Sequence, residues 1–318
     1  MAHQQRVIAM KTKLALIGVA SVSTLALLAA NAETKNYDFR SFDSIDVSRV
    51  IDVVYTQGST QSVRIDVSDG DFDAVEVDVK GGTLEITRPK RGKRWSNIES
   101  RERNGERIIK INGKRVPVIT VYVTSPDLDN VSVSSSSSFE TDGLSTEDFT
   151  LSASSSADVI LNGLEAGVAE IKASSSADIS LSGTCRFLDA SASSSGDITA
   201  KSLSCQTAEV KASSSGDIAY ENTGGDITAQ ASSSGDIRIT GSCGQLTAKA
   251  SSSGDINARA VSCRDVDARA SSGGDISVGA TGAVLAKASS GGDITIYGSP
   301  ASLDKSESSG GDVSVRGS

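Results

Sequence analysis

Nine aspartates recur along the second half of the chain: Asp158, Asp178, Asp197, Asp217, Asp236, Asp255, Asp275, Asp293 and Asp312, separated by 20, 19, 20, 19, 19, 20, 18 and 19 residues. Carboxylates at regular spacing can serve as acid–base groups or as ligands for hard cations. An acid–base pair needs two carboxylates in different environments, one protonated and one ionised. Here each copy sits in nearly the same local sequence, "SSSGDI" or a close variant, and identical settings do not push two pKa values apart. Calcium accepts carboxylate and hydroxyl oxygens, so Asp178, Asp197, Asp217, Asp236, Asp255, Asp275 and Asp293 are its candidate ligands. The competing account is local: an Asp that follows Gly accepts backbone N–H bonds at a turn. The chain has no calcium-binding nonapeptide, which favours the turn. No other cofactor is expected.

Histidine chemistry is excluded more sharply. The only histidine is His3, ahead of an apolar run from Leu14 to Leu28 that Lys11 and Lys13 precede and Ala30-Asn31-Ala32 follows. That layout is a secretory signal peptide, and the run is short for a spanning helix; an uncleaved anchor is the alternative. Met10 is a second candidate start. Residues 1–32 are therefore read as the signal and 33–318 as the mature chain, exported to the periplasm or the cell surface. Without His3 neither a Ser-His-Asp triad nor a His-ligated metal can be built. Removing three basic residues and no acid leaves 28 Lys and Arg against 40 Asp and Glu, a formal charge near −12. Such a chain disfavours nucleic acid and anionic membrane as partners. No later segment is apolar enough to span a membrane.

The elements that position the aspartates follow from the period. Near-identical units of 19–20 residues are an array. Around Asp217, alternate positions hold Val210, Ala212, Ser214, Gly216, Ile218 and Tyr220 on one side, and Lys211, Ser213, Ser215, Asp217 and Ala219 on the other. Alternation of this kind marks strands with one face in and one out. The period is too short for a strand, a helix and a return. It suits one coil of a parallel β-solenoid, an all-β single-domain fold, with regular coils over 131–318 stacked about 4.8 Å apart into a rod of about 45 Å. Lys172, Lys211, Lys249, Arg269 and Lys287 fall six residues before their aspartates and are assigned to the same outward face. In the last unit Lys305 and Glu307 take positions that hold Ala elsewhere, a polar end that opposes stacking.

Cys185, Cys205, Cys243 and Cys263 are spaced 20, 38 and 20 apart. Four cysteines allow three pairings. Stacked coils select Cys185–Cys205 and Cys243–Cys263, each one coil apart and within disulfide reach, and export supplies the oxidising compartment. Four buried thiols filling a core column are the alternative.

Residues 36–89 alternate apolar and polar residues without the Ser-Gly-Asp unit. Residues 90–115 form a charged insertion of ten basic and three acidic residues. Arg91, Lys93, Arg94, Trp95, Arg101 and Arg103 make it a candidate projecting loop for an anionic partner; a solvated insertion is the plainer account.

The order "FDSIDVSRVIDVVYTQG", "GGTLEITRP", "VYVTSPDLDNVSVSSSSSFE" and repeated "SSSGDI" resembles the bacterial head GIN domain family of auto-transporter adhesins, over about residues 38–315. The resemblance implies a right-handed parallel β-helix, export and an adhesive role, with no catalytic residues to carry over. The expected function is a non-catalytic, adhesin-like protein presenting a Ser/Asp/Lys face to glycan or other cell-envelope ligands. The alternatives are a polysaccharide-active lyase or hydrolase and a purely structural envelope protein. The sequence leaves the oligomeric state open.

Overall fold

The computed structural model describes residues 32–68, 72–90, 97–103 and 106–317, and Ala32–Ser318 form one compact unit. The signal peptide assigned to 1–32 lies, but for Ala32, outside the described residues, as do Arg91, Lys93, Arg94 and Trp95.

The N-terminal part comprises β1 (Ala32–Tyr37), β2 (Ser44–Ser48), β3 (Asp52–Gln57), β4 (Ser62–Ser68), β5 (Glu76–Lys80), β6 (Thr83–Thr87), β7 (Ile98–Arg103), β8 (Glu106–Ile111), β9 (Lys114–Val116) and β10 (Ile119–Ser125). From residue 130 onward the chain is a parallel β-solenoid of stacked coils, about nine turns in all. Each coil lies in register on the next: Ser138↔Asp158, Leu144↔Leu164 and Ser154↔Ser174, then Asp158↔Asp178 and Ser174↔Ser193. β2 and β3 form the first coil, pairing with Asn130–Ser134 and with Ser138–Thr141. Among the described residues no helix is long and apolar enough to cross a membrane.

The core is a set of columns. Val159, Ile179, Ile198, Ile218, Ile237, Ile256, Ile276 and Ile294 stack on one wall; Ala153, Ala173, Ala192, Ala212, Ala231, Ala250, Ala270 and Ala288 stack on another, all buried. Pairing branched with small columns lets the walls close without voids. Tyr220 is 1% exposed, as its alternation requires. Its hydroxyl donates to the equally buried Asn222, whose amide bonds Gly225 O and Ser242 O.

The alternation does not run through the serines. Ser214 is exposed rather than inward, because the chain turns there. In each coil two successive residues adopt the left-handed conformation, for example Ser175 (φ 52°) and Ser176 (φ 61°), and Ala177 N–H closes the turn on Ser174 O at 3.2 Å. Positive φ at both central residues defines a type I′ turn. In the later coils Gly273, Gly291 and Gly310 take the second position. Serine is strained there by about 1–2 kcal/mol per residue. Stacking offsets the strain, since each corner donates a backbone bond to the next: Ser176 N to Ser194 O, Ser195 N to Ser214 O and Ser215 N to Ser233 O, all at 3.2 Å.

The turn has a second consequence. Lys172, Lys211, Lys249, Arg269 and Lys287 lie before the corner and the aspartates after it, so they occupy different walls, which corrects the single-face assignment. Three of the five cations pair instead with acids two residues earlier: Lys172 with Glu170, Lys211 with Glu209 (2.9 Å) and Arg269 with Asp267 (2.8 Å). In the last coil Lys305 and Glu307 align with Ala286 and Ala288, bond each other at 2.8 Å and stay exposed.

Candidate ligand-binding ridge

From Ser154 to Ser289 every corner repeats one pattern of outward groups. The first is a half-buried serine at the end of a strand, forming an unbroken column from Ser48 and Ser134 through Ser154, Ser174 and Ser193 to Ser289. Two exposed residues of the turn follow, then a buried small residue, then the exposed aspartate. The outcome is a ridge of hydroxyls beside a line of carboxylates, both repeating at the strand spacing of about 4.8 Å.

Like charges at that spacing need a compensating donor. In the coils with Gly before Asp, it is the backbone of the next coil. Asp197 Oδ1 accepts from Asp217 N at 3.2 Å, Asp217 from Asp236 at 3.2 Å, Asp236 from Asp255 at 3.2 Å, and Asp255, Asp275 and Asp293 continue the ladder to Asp312. In the earlier coils the same N–H bonds backbone instead: Asp178 N to Ala157 O at 2.9 Å and Asp197 N to Ala177 O at 2.8 Å. The switch follows the residue before the accepting aspartate: the amide of Asp197 passes by Asp178, which follows Ala177, whereas the amide of Asp217 bonds Asp197, which follows Gly196. A Cβ on Gly235 would lie 2.5 Å from Ser213 N and one on Gly216 would lie 2.6 Å from Ser193 N, whereas Ala157 and Ala177 are accommodated. Glycine therefore lets the corner close on the coil below and brings carboxylate and amide together. Among the described residues no group of three or more His, Cys, Asp or Glu side chains is placed to hold a metal ion. Beside the column runs a groove of about 610 Å³ whose lining includes Asp197, Thr199, Asp217, Ala219, Arg238 and Asn257.

The charged insertion caps one end of the ridge. β7, β8 and β9 form a separate antiparallel sheet, turned at Asn112-Gly113 with positive φ at both. Its apolar side, Ile109 and Ile111 with Ile98 and Val116, packs on Val50 and Val118. Val50 (φ 61°) and Arg49 (φ 66°) occupy the first coil's version of the Ser-Ser corner. A β-branched residue in this region is a backbone outlier. It is held by Arg88, which is 3% exposed. The guanidinium donates to Arg49 O at 3.0 Å, to Val50 O at 3.0 and 3.3 Å and to Pro117 O at 2.7 Å. Burial lowers its pKa to about 10. Arg107 of β8 forms an ion pair with Asp52, which also accepts from Ser138 Oγ at 2.7 Å. Asp52, Ser138 and Asp158 share one column, so the insertion grips the head of the acidic line. The described part of the insertion, β7 to β9, is a docked sheet. Arg101 lies exposed on β7, 3.7 Å from Glu99, and Arg103 ends that strand. Neither Arg88 nor Val50 stands out in the sequence.

Asp158 feels this crowding. Burial first, then the neighbouring Asp178 and Asp52, raise its pKa above 3.8, and Arg107 opposes the rise. A folded-state pKa above the unfolded value means that ionisation costs stability above that window, and the cost vanishes as pH falls below the unfolded value. Asp158→Asn is therefore expected to raise the melting temperature at neutral pH and to leave it unchanged at about pH 3. An equal shift at both values would exclude the electrostatic cause.

Both cysteine pairs form as the stacking requires: Cys185–Cys205 and Cys243–Cys263, each with Cα atoms 4.5 Å apart.

A family described as "Putative auto-transporter adhesin, head GIN domain" matches residues 41–238 and 221–300. Among solved structures, the chain is similar to a "putative lipid binding protein" from Parabacteroides distasonis ATCC 8503, with 20% identity, 90% of this chain and 97% of that one covered, and a TM-score of 0.49. A "putative adhesin" from the same strain gives 18%, 90%, 97% and 0.47. One from Parabacteroides merdae ATCC 43184 gives 17%, 90%, 97% and 0.43. No curated protein matches.

Proposed function

The chain belongs to the head GIN domain family, and on that premise we propose that it is an exported, non-catalytic binding protein. Its ridge of serine hydroxyls and aspartates engages a glycan or another polymer of the cell envelope. The single observation supporting this is the ridge itself: hydroxyls and carboxylates repeat in register over many coils. A ligand with its own linear repeat can engage several coils at once, and multivalency of that kind raises affinity without any strong single contact. The two disulfides fit an oxidising compartment. Against catalysis stands the uniformity of the carboxylates, since an acid and a base must differ in environment.

The test is binding to glycan arrays and to whole cells, in calcium and in chelator. It compares the native protein with a Ser233→Gly, Ser252→Gly, Ser272→Gly variant. These serines have positive φ, so glycine removes hydroxyls while relieving backbone strain. The expected result is binding by the native protein and loss of at least about tenfold in affinity by the variant, with no fall in its melting temperature. Background-level binding by the native protein under every condition sinks the reading. Release of reducing ends or unsaturated products from anionic polysaccharides overturns its non-catalytic part.

A further inference from the structure

β1 is the outermost strand of its wall. It pairs with β4 in antiparallel register, from Ala32↔Ser68 to Tyr37↔Val63, and its other edge pairs with no described strand. Counted from the first coil, β10, β4 and β1 lie successively beyond β3. On the neighbouring wall only β6 and β5 lie beyond β2. The free edge of β1 therefore leads by one strand, about 4.8 Å, and Glu33, Thr34, Lys35 and Asn36 are exposed.

An exposed strand edge is a template for another strand, and the sequence of this one selects the partner. β1 reads Ala-Glu-Thr-Lys-Asn-Tyr, of which Glu33 to Tyr37 remain once the signal read as residues 1–32 is removed. If two copies pair antiparallel about a two-fold axis at Thr34, Glu33 faces the partner's Lys35, and Lys35 faces the partner's Glu33. Opposite charges directly across a strand pair stabilise it, and like charges oppose it. A two-fold at Glu33 would set carboxylate against carboxylate, and one at Lys35 ammonium against ammonium. Registers centred between residues set each charge against a neutral side chain. Charges on an edge strand usually discourage pairing; these discourage the like-charge registers and favour one.

The local structure holds Lys35 in place. Lys35 Nζ lies 4.7 Å from the centre of the Tyr37 ring and 5.7 Å from that of Phe72, on the face that alternation also gives to Glu33. On the opposite face Thr34 Oγ1 donates to Asp66 at 2.9 Å and ties β1 to β4. We propose that β1 is a homodimerisation edge, pairing with β1 of a second copy across a two-fold axis at Thr34 and continuing one wall of the solenoid into the next molecule. A two-fold contact of this kind closes on itself and does not propagate.

Directly opposed residues of an antiparallel pair have Cα atoms about 4.5–5.5 Å apart, within disulfide range. The four native cysteines are already paired. In the full-length protein purified after export, Thr34→Cys is therefore expected to run as a covalent dimer on oxidation, and Asn36→Cys is not. In sedimentation velocity, Glu33→Lys or Lys35→Glu alone should weaken association by about tenfold, and the double reversal Glu33→Lys/Lys35→Glu should restore it. Restoration is a readout that a folding defect would not produce. A native protein that stays monomeric at its highest soluble concentration overturns the proposal. So do single reversals without effect, or crosslinking of Asn36→Cys as fast as Thr34→Cys.

Discussion

Arg88→Ala is expected to destabilise the N-terminal end of the solenoid by about 3–5 kcal/mol, the cost of removing a buried charged group that hydrogen-bonds three backbone carbonyls. The guanidinium donates four bonds to the carbonyls of Arg49, Val50 and Pro117. Its removal strands those acceptors beneath the β7–β9 sheet and frees a corner that Val50 occupies against its own conformational preference. Lysine carries the charge but not the planar fork, so Arg88→Lys should recover less than half of the loss. Solenoids unfold in neighbouring units rather than all at once. The measurement is therefore hydrogen exchange or denaturant melting resolved by region. It should show early opening of residues 44–57 and 98–118 with the later coils unchanged. A loss below about 1 kcal/mol, or one spread evenly along the chain, would remove Arg88 from this role.

The second large effect belongs to the staples. Each disulfide closes a loop with a sequence separation of 20. In the chain-entropy account a loop of that size contributes about 3 kcal/mol. Replacing Cys185 and Cys205 together by Ala, which suits their buried column, should lower the local unfolding free energy by that amount. The Cys243 and Cys263 pair should do the same, and reductant should reproduce both. The coil between them carries Gly224 in place of cysteine and is tied by Asn222 instead. Its stability should be insensitive to reductant. A melting curve unaltered by reduction would show that stacking alone carries these coils.

What could be read from the residues, and what could not, divides along physical lines. Spacing carries long-range information in a solenoid, because residues one period apart become neighbours; Cys185 and Cys205 are the plainest case. The corner was misread because its left-handed positions hold Ser, which seldom adopts them, rather than Asn or Gly. The signal was present in Gly273, Gly291 and Gly310, which replace the second serine and mark positive φ. With that, Lys172 and Asp178 would have been placed on separate walls. The docking of the insertion was not legible, since nothing local links Ile109 and Ile111 to Val50, some sixty residues away. Arg88 is hidden for the same reason: among the neighbouring Lys90 and Arg91 it looks like one more solvated cation.

The glycine-closed corner also bears on how such a protein can change length. Once Gly sits before Asp, each coil offers the next the same amide, the same carboxylate and the same left-handed turn. A whole unit can then be duplicated or lost with its junctions intact, because both new neighbours present matching edges. The fold thereby separates valency from architecture: gene-level slippage by one period adds or subtracts a foothold for a polymeric ligand, while the specialised cap at one end and the charged coil at the other stay as they are.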